Sequence, residues 1–170
     1  MDSIQNYNIR RYLKKFVANV IFFMYRLQTS HSVDKKRHGI FIGECTYSPW
    51  LIDEDFKALQ VKIKGFTLVD ENKQYLTYSY IKQLSKLGVK GDYLEVGVWR
   101  GGLSALIGMT FKKYSTIPRK LFLADTYEGM PKTVKEDNFY KGGELSDTSA
   151  ELVKGLMDAC ELKNTFILKG

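Results

Sequence analysis

Apolar side chains recur at helical intervals in five stretches and bunch into short continuous runs in three, and the order of the two textures predicts the architecture. In 9–27, Ile9, Tyr12, Leu13, Phe16, Val17, Val20, Phe23, Met24 and Leu27 share one face, with Arg10, Arg11, Lys14 and Lys15 opposite. Asp53 suits the cap of a short helix with Phe56, Leu59 and Ile63 inward, ended by Gly65. Asp70 suits the cap of a longer one with Leu76, Tyr80, Leu84 and Leu87 as its buried stripe, ended by Gly88. The helix after Gly101 buries Leu103, Leu106, Ile107 and Phe111. Thr148-x-x-Glu151 reads as a capping box opening a helix with Leu152, Val153, Leu156, Met157 and Cys160 on one side. The apolar runs are 92–98, 121–124 and 165–168.

From residue 92 onward these alternate as strand, helix, strand, helix, strand. Right-handed crossovers place three such strands side by side and parallel, with the first at the boundary, which is half of an open α/β sheet. A central strand left unpaired on one side is an aggregation hazard, so the chain reads as the front part of a longer protein; a short protein completed by a second copy is the alternative. The organisation expected is a basic amphipathic helix and linker over 1–45 and a ligand-binding α/β unit over 46–170. Residues 132–147 are polar, with paired Gly142-Gly143, and read as a loop that either covers a pocket or merely connects.

Charge sharpens the division. Residues 1–40 hold eight basic side chains against Asp2 and Asp34, a net of +6 out of +7 for the whole chain, so the remainder is nearly neutral. The apolar part of the 9–27 helix is too short for the ~20 residues of a membrane span. Basic residues in its first turns oppose the helix dipole, and the face suits either an anionic lipid surface or packing against the domain or another subunit. Without a recognition motif those charges do not argue for nucleic acid. Cys45 and Cys160 stand far apart and in no metal-ligand spacing, which fits free thiols in a reducing, cytoplasmic setting.

The chemistry concentrates in Tyr93-Leu94-Glu95-Val96-Gly97-Val98-Trp99-Arg100-Gly101-Gly102-Leu103-Ser104. A strand breaking through glycines into a helix allows positive φ, close backbone approach and unpaired amides for a small anionic or zwitterionic ligand. Asp125, at the end of the next strand, comes up beside that turn because ligands gather at the carboxyl ends of parallel strands, and an acid there suits a ribose diol. The dinucleotide spacing G-x-G-x-x-G fails here, since Gly97 is followed by Val98, Trp99 and Arg100. What stands is E-x-G-x-x-x-G-G-x-S.

This pattern resembles the first motif of S-adenosylmethionine-dependent methyltransferases. With the Tyr47-Ser48-Pro49-Trp50 entry, Phe66-Thr67-Leu68-Val69-Asp70, the Gly-Val-Trp-Arg-Gly-Gly turn at 97–102 and Asp125-Thr126-Tyr127-Glu128-Gly129-Met130-Pro131, the chain from about residue 46 is similar to the macrocin O-methyltransferase family. The resemblance implies a Rossmann-like class I methyltransferase sheet, of which this chain holds the first half, strands 1–3 with flanking helices, preceded by the amphipathic helix. It implies S-adenosyl-L-methionine as cofactor and a sugar hydroxyl of a glycoside or other small molecule as acceptor. By it Glu95, Gly97, Gly101 and Gly102 shape the methionine end of the pocket, with Ser104 and Thr67 near that end. Asp125 holds the ribose hydroxyls, Thr126 and Tyr127 flank the adenosine, and Trp99 matches a family position.

The family's divalent metal, magnesium, is expected to have its ligands in a later strand, and neither a catalytic base nor a metal ligand is nominated from this chain. A homo-oligomer and a peripheral membrane contact through 9–27 are further expectations. Two other functions stay open: a nucleotide- or NAD-binding α/β protein, and a non-catalytic module that docks on a membrane or partner.

Overall fold

A computed structural model describes residues 12–21, 23–24, 47–131 and 141–170. The chain divides after Tyr47 into two units, each described by itself. In the first, residues 12–21 and 23–24 are helical (α1), and Tyr12, Leu13, Phe16, Val20 and Phe23 are all exposed. No helix among the described residues is long and apolar enough to cross a membrane.

The second unit opens with a 3-10 turn, Pro49–Leu51, for which proline at the first position is pre-shaped. Helix α2 (Glu54–Ile63) starts where the Asp53 carboxylate accepts the Phe56 amide at 3.0 Å, and Gly65 leaves it at φ +82°. Helix α3 (Glu71–Lys86) starts on Asp70, which accepts the Lys73 amide at 3.1 Å. Then follow β1 (Tyr93–Val96), α4 (Gly102–Tyr114), β2 (Leu121–Asp125), α5 (Ala150–Ala159) and β3 (Thr165–Lys169). The three strands form one parallel sheet in the order β1-β2-β3, with Glu95 opposite Leu123 and Asp125 opposite Lys169.

Helix α4 is buried almost all round, because it lies between the sheet and the α2–α3 pair. Its small residues permit this: a Cβ on Gly102 would stand 2.5 Å from the Phe66 carbonyl oxygen, and one on Gly108 2.6 Å from Leu162. Behind it Phe56, Tyr75, Tyr78 and Tyr114 form an aromatic cluster, with the Phe56 and Tyr75 rings edge to face at 5.1 Å. The Tyr78 and Tyr114 hydroxyls are 2.9 Å apart, and Tyr114 donates onward to Asp55 at 2.7 Å.

That cluster corrects the expected stripe of α3. The leucine face of Leu76, Tyr80, Leu84 and Leu87 points to solvent, with Tyr80 58% exposed. The buried positions are Gln74, Tyr78, Ile81 and Ser85, a helical stripe of which three members stand two residues before the expected ones, or roughly 200° round the helix. Tyr78 wins because its ring joins Phe56 and Tyr114, and the polar residues brought in with it are satisfied: Gln74 donates to the Val69 carbonyl at 2.6 Å and Ser85 to Ile81 at 2.8 Å.

The helix after the 132–147 loop also begins one residue later than expected. Ser149, not Thr148, caps α5, accepting the Leu152 amide at 3.0 Å. The Thr148 hydroxyl is engaged elsewhere, donating to the Trp99 carbonyl. Part of that loop, 132–140 with Glu136 and Asp137, lies outside the described residues, as does Cys45; Cys160 is a buried free thiol.

The sheet is covered unevenly. Tyr93, Glu95, Leu121, Leu123 and Ile167 lie on the side of α4 and α5, whereas Leu94 and Val96 are 58% and 78% exposed and Phe166 and Leu168 are also open to solvent. On that second face Phe122 and Phe166 stack at 5.2 Å across the β2–β3 pair.

Candidate functional site

The carboxyl ends of all three strands open on one cavity of about 530 Å³, within the ~300–1,000 Å³ usual for small-molecule sites. Val96 and Gly97 from β1, Ala124, Asp125 and Thr126 from β2, and Leu168, Lys169 and Gly170 from β3 form its floor. Met130, Pro131, Leu145 and Thr148 form one wall and Trp99 another.

The backbone after β1 turns three times into the left-handed region, at Gly97 (φ +85°), Trp99 (φ +50°) and Gly101 (φ +83°). A Cβ on Gly97 would meet nothing within 4 Å, so the chain there stands bare at the cavity. Asp125 holds this turn in shape. Its Oδ2 accepts the Val98 and Trp99 amides at 2.6 and 2.9 Å, and its Oδ1 accepts the Tyr127 amide at 2.9 Å.

These bonds revise, for four of the amides, the expectation that the turn and the start of the next helix offer free N–H groups to an anion. Val98 and Trp99 give theirs to Asp125, Gly101 gives its own to Val98, and Gly102 donates to the Phe66 carbonyl at 2.8 Å. A buried amide must be paired, and here the pairing is internal. The Thr126 hydroxyl lies 3.3 Å from Oδ1 and 2.9 Å from the Gly129 carbonyl, so its contact with Oδ1 is the longest of the four that Asp125 accepts.

Burial pushes the Asp125 carboxyl up, but the amides of Tyr127, Trp99 and Val98 outweigh it and hold the group below the usual carboxylate range. Glu95 goes the other way. Burial raises it, the Ser104 and Tyr93 hydroxyls (2.5 and 3.1 Å) pull it back only in part, and the Asp125 charge adds to the rise. Tyr127 is 3% exposed, donates to the Leu123 carbonyl at 2.7 Å, and has its phenol pushed up to about 12 by burial and by Asp125 and Glu95.

Of the residues singled out from sequence, Gly97, Trp99, Asp125 and Thr126 line the cavity. Glu95, Ser104, Thr67, Gly101 and Gly102 form a second group under the start of α4. Ser104 there donates to Glu95 and Gly102 packs against Thr67, whose Cβ would be 2.9 Å from an added methyl. Tyr127 lies in the core beneath the turn. Missed from sequence were Leu145, Thr148, Leu168, Lys169 and Gly170, and Asp147, which accepts from Trp99 Nε1 and Arg100. The end of β3 was recoverable from the rule already applied to Asp125; the loop residues had no signal in spacing or composition. Among the described residues no group of three or more His, Cys, Asp or Glu could hold a metal ion.

The chain is similar to known proteins. The chain is 29% identical over 119 residues to the 8-demethyl-8-(2,3-dimethoxy-alpha-L-rhamnosyl)-tetracenomycin-C 4'-O-methyltransferase of Streptomyces olivaceus, a match over 70% of this chain and 40% of that protein. It is 29% identical over 126 residues to the mycinamicin III 3''-O-methyltransferase of Micromonospora griseorubida, over 74% of this chain and 44% of that one. It thus spans about two-fifths of the length of these relatives. The solved structure of the O-methyltransferase NovP superposes with a TM-score of 0.53 at 22% identity, over 62% of this chain and 47% of that one, so the α/β fold expected from the resemblance is the fold found. The model of the Macrocin-O-methyltransferase (TylF) family matches residues 56–167, and the chain belongs to that family.

Proposed function

We propose that this chain is the cofactor-binding part of an S-adenosylmethionine-dependent O-methyltransferase whose acceptor is a sugar hydroxyl. The observation that carries the reading is the meeting, at one cavity, of the bare backbone of Gly97 with the carboxylate of Asp125. The lining suits a nucleoside with a charged tail: an ionised acid for a ribose hydroxyl, an open glycine turn, and apolar side chains of Val96, Ala124, Met130 and Leu145 for a base. The printed names of the two relatives, one a rhamnosyl tetracenomycin and the other a mycinamicin O-methyltransferase, support the acceptor class.

When bound, the cofactor supplies a methyl group already activated by its sulfonium. The protein's task is then alignment and exclusion of water. Asp125, kept ionised by three amides, fixes the turn and presents to the ligand the oxygen that now takes the long Thr126 contact. Trp99 and Leu145 narrow the cavity from two sides. Glu95, Ser104 and Thr67 set the entry of α4 without lining the cavity, and in this reading they support the shape of its methionine end. The described residues gather no group of three or more His, Cys, Asp or Glu that could hold the magnesium the resemblance implies.

Calorimetric titration of the full chain with S-adenosylhomocysteine and with NAD tests the reading. The expected result is binding of the first and not the second; NAD binding with no response to S-adenosylhomocysteine would establish the nucleotide-binding alternative instead. A second reading is favoured by one observation, the exposure of the apolar side chains of α1 beside a basic segment. We propose that this helix lies on an anionic membrane surface at the cytoplasmic side. Co-flotation of the chain with phosphatidylglycerol vesicles at low salt, lost at high salt, is the expected outcome, and no flotation at low salt excludes it.

A further inference from the structure

We propose that Asp147 is a positioning residue that latches the arm of residues 141–149 across the glycine turn and thereby holds one wall of the cavity in place. Its consequence for ligand affinity rests on the cofactor reading above; the latch itself rests on geometry. Asp147 Oδ1 accepts from Trp99 Nε1 at 2.8 Å and Oδ2 from the Arg100 guanidinium at 2.6 Å, while the Asp147 carbonyl accepts from Arg100 Nε at 2.9 Å. Arg100 also donates to the Gly65 carbonyl at 3.2 Å, so one guanidinium joins the end of α2, the glycine turn and the arm. It lies 4.8 Å from the Trp99 ring centre. Next in sequence, the Thr148 hydroxyl donates to the Trp99 carbonyl.

The arm is pinned at its other end as well. Met130 donates its amide to Glu144 at 2.7 Å and Gly143 donates back to Met130 at 2.9 Å. Gly129 makes room for this pairing, since a Cβ there would stand 2.6 Å from the Glu144 carbonyl oxygen. Between the pins sits Leu145, a cavity wall residue held at φ +59°. That conformation costs a branched residue about 1 kcal/mol, so the arm keeps it only while both ends are tied. Among the described residues four non-glycines take positive φ; two of them, Trp99 and Leu145, line this cavity, and a third, Tyr127, lies in the core beneath the turn. Such strain persists where surrounding contacts over-determine the backbone.

A purely stabilising role fits poorly. The Asp147 side chain is 57% exposed, and exposed ion pairs contribute little to global stability. What its bonds do is join a wall to a turn. Removing them releases the wall and leaves the core untouched.

The test uses the full chain with Trp50→Phe, which leaves Trp99 as the sole tryptophan, and compares Asp147→Ala, Asp147→Asn, Arg100→Ala and the double variant Arg100→Ala/Asp147→Ala. Expected for Asp147→Ala are a shift in Trp99 emission, faster amide exchange over 142–149, an unchanged melting temperature, and S-adenosylhomocysteine binding weakened by about three- to tenfold, the range for one ordinary hydrogen bond or exposed ion pair. Asp147→Asn, which keeps an acceptor for the indole, should fall between. The double variant should be no weaker than the worse single, as for residues acting through one contact. Unchanged exchange and emission in Asp147→Ala overturn the latch, as does binding equal to the parent. If the parent itself fails to bind S-adenosylhomocysteine, the cofactor reading falls, and exchange and emission alone decide the latch.

Discussion

Two glycines and two acids show how much one atom decides at this site. Gly102 faces the Phe66 carbonyl with no room for a Cβ, whereas Gly97 has room but a backbone at φ +85°. Gly102→Ala should therefore destabilise by about 3 kcal/mol through overpacking. Gly97→Ala should cost only about 1 kcal/mol of strain yet abolish S-adenosylhomocysteine binding, because its methyl enters the cavity; urea unfolding and calorimetry separate the two. The acids differ in sign. Asp125 is held below its unfolded value near ~3.9, so its contribution is complete above that pH and is lost as pH falls through the folded value. Asp125→Asn, which turns an NH₂ toward backbone donors, should cost about 2 kcal/mol at pH 7, with the gap closing below ~4. Glu95 is raised by burial; its favourable contribution belongs below its unfolded value near ~4.3 and is lost as pH rises through the folded one. Glu95→Gln should accordingly raise the urea midpoint at pH 7 and leave it unchanged at pH 4.

At the scale of the element, α3 shows a helix choosing between two faces of equal spacing. The leucine face offers three leucines and a tyrosine, the other a tyrosine, an isoleucine, a glutamine and a serine. The choice goes to the face whose tyrosine can enter the Phe56–Tyr75–Tyr114 cluster, because an aromatic ring buries more surface and gains directed ring contacts. Tyr78→Ala should cost about 3–5 kcal/mol, while Tyr80→Lys should stay within ~0.5 kcal/mol, by thermal and urea unfolding. A large loss with Tyr80→Lys would show the leucine face to be covered. Capping follows the same logic: Ser149 caps α5 because Thr148 is drawn to the Trp99 carbonyl, so tertiary contact moves a local signal by one residue.

In the whole molecule, charge and apolar surface are both unevenly placed. Most of the net charge belongs to residues 1–40, and within the second unit the described helices pack on one face of the sheet. Leu94, Val96, Phe166 and Leu168 therefore present a contiguous apolar surface of the kind that soluble monomers rarely expose. The native chain at neutral pH should bind anilinonaphthalene sulfonate with a marked rise in emission, and Leu94→Thr with Val96→Thr should reduce it while keeping strand propensity. No rise in emission would mean that this face is covered in solution.

Local pattern by itself determined the elements and their order. Asp53, Asp70, Gly65 and Gly88 act within a few residues of themselves, and right-handed crossovers then leave β1-β2-β3 as the sheet. The same short-range reasoning located Gly97 and Asp125, because strand ends and glycine turns are written in adjacent residues. Only the tertiary structure decided which face of α3 is buried, and that the Val98 and Trp99 amides are spent on Asp125 and the Gly102 amide on Phe66. It alone brought Asp147, forty-seven positions beyond Arg100, into contact with that residue. Those outcomes are competitions among partners distant in sequence, for one buried surface or one hydrogen bond, and a pattern read along the chain carries no term for the competitor.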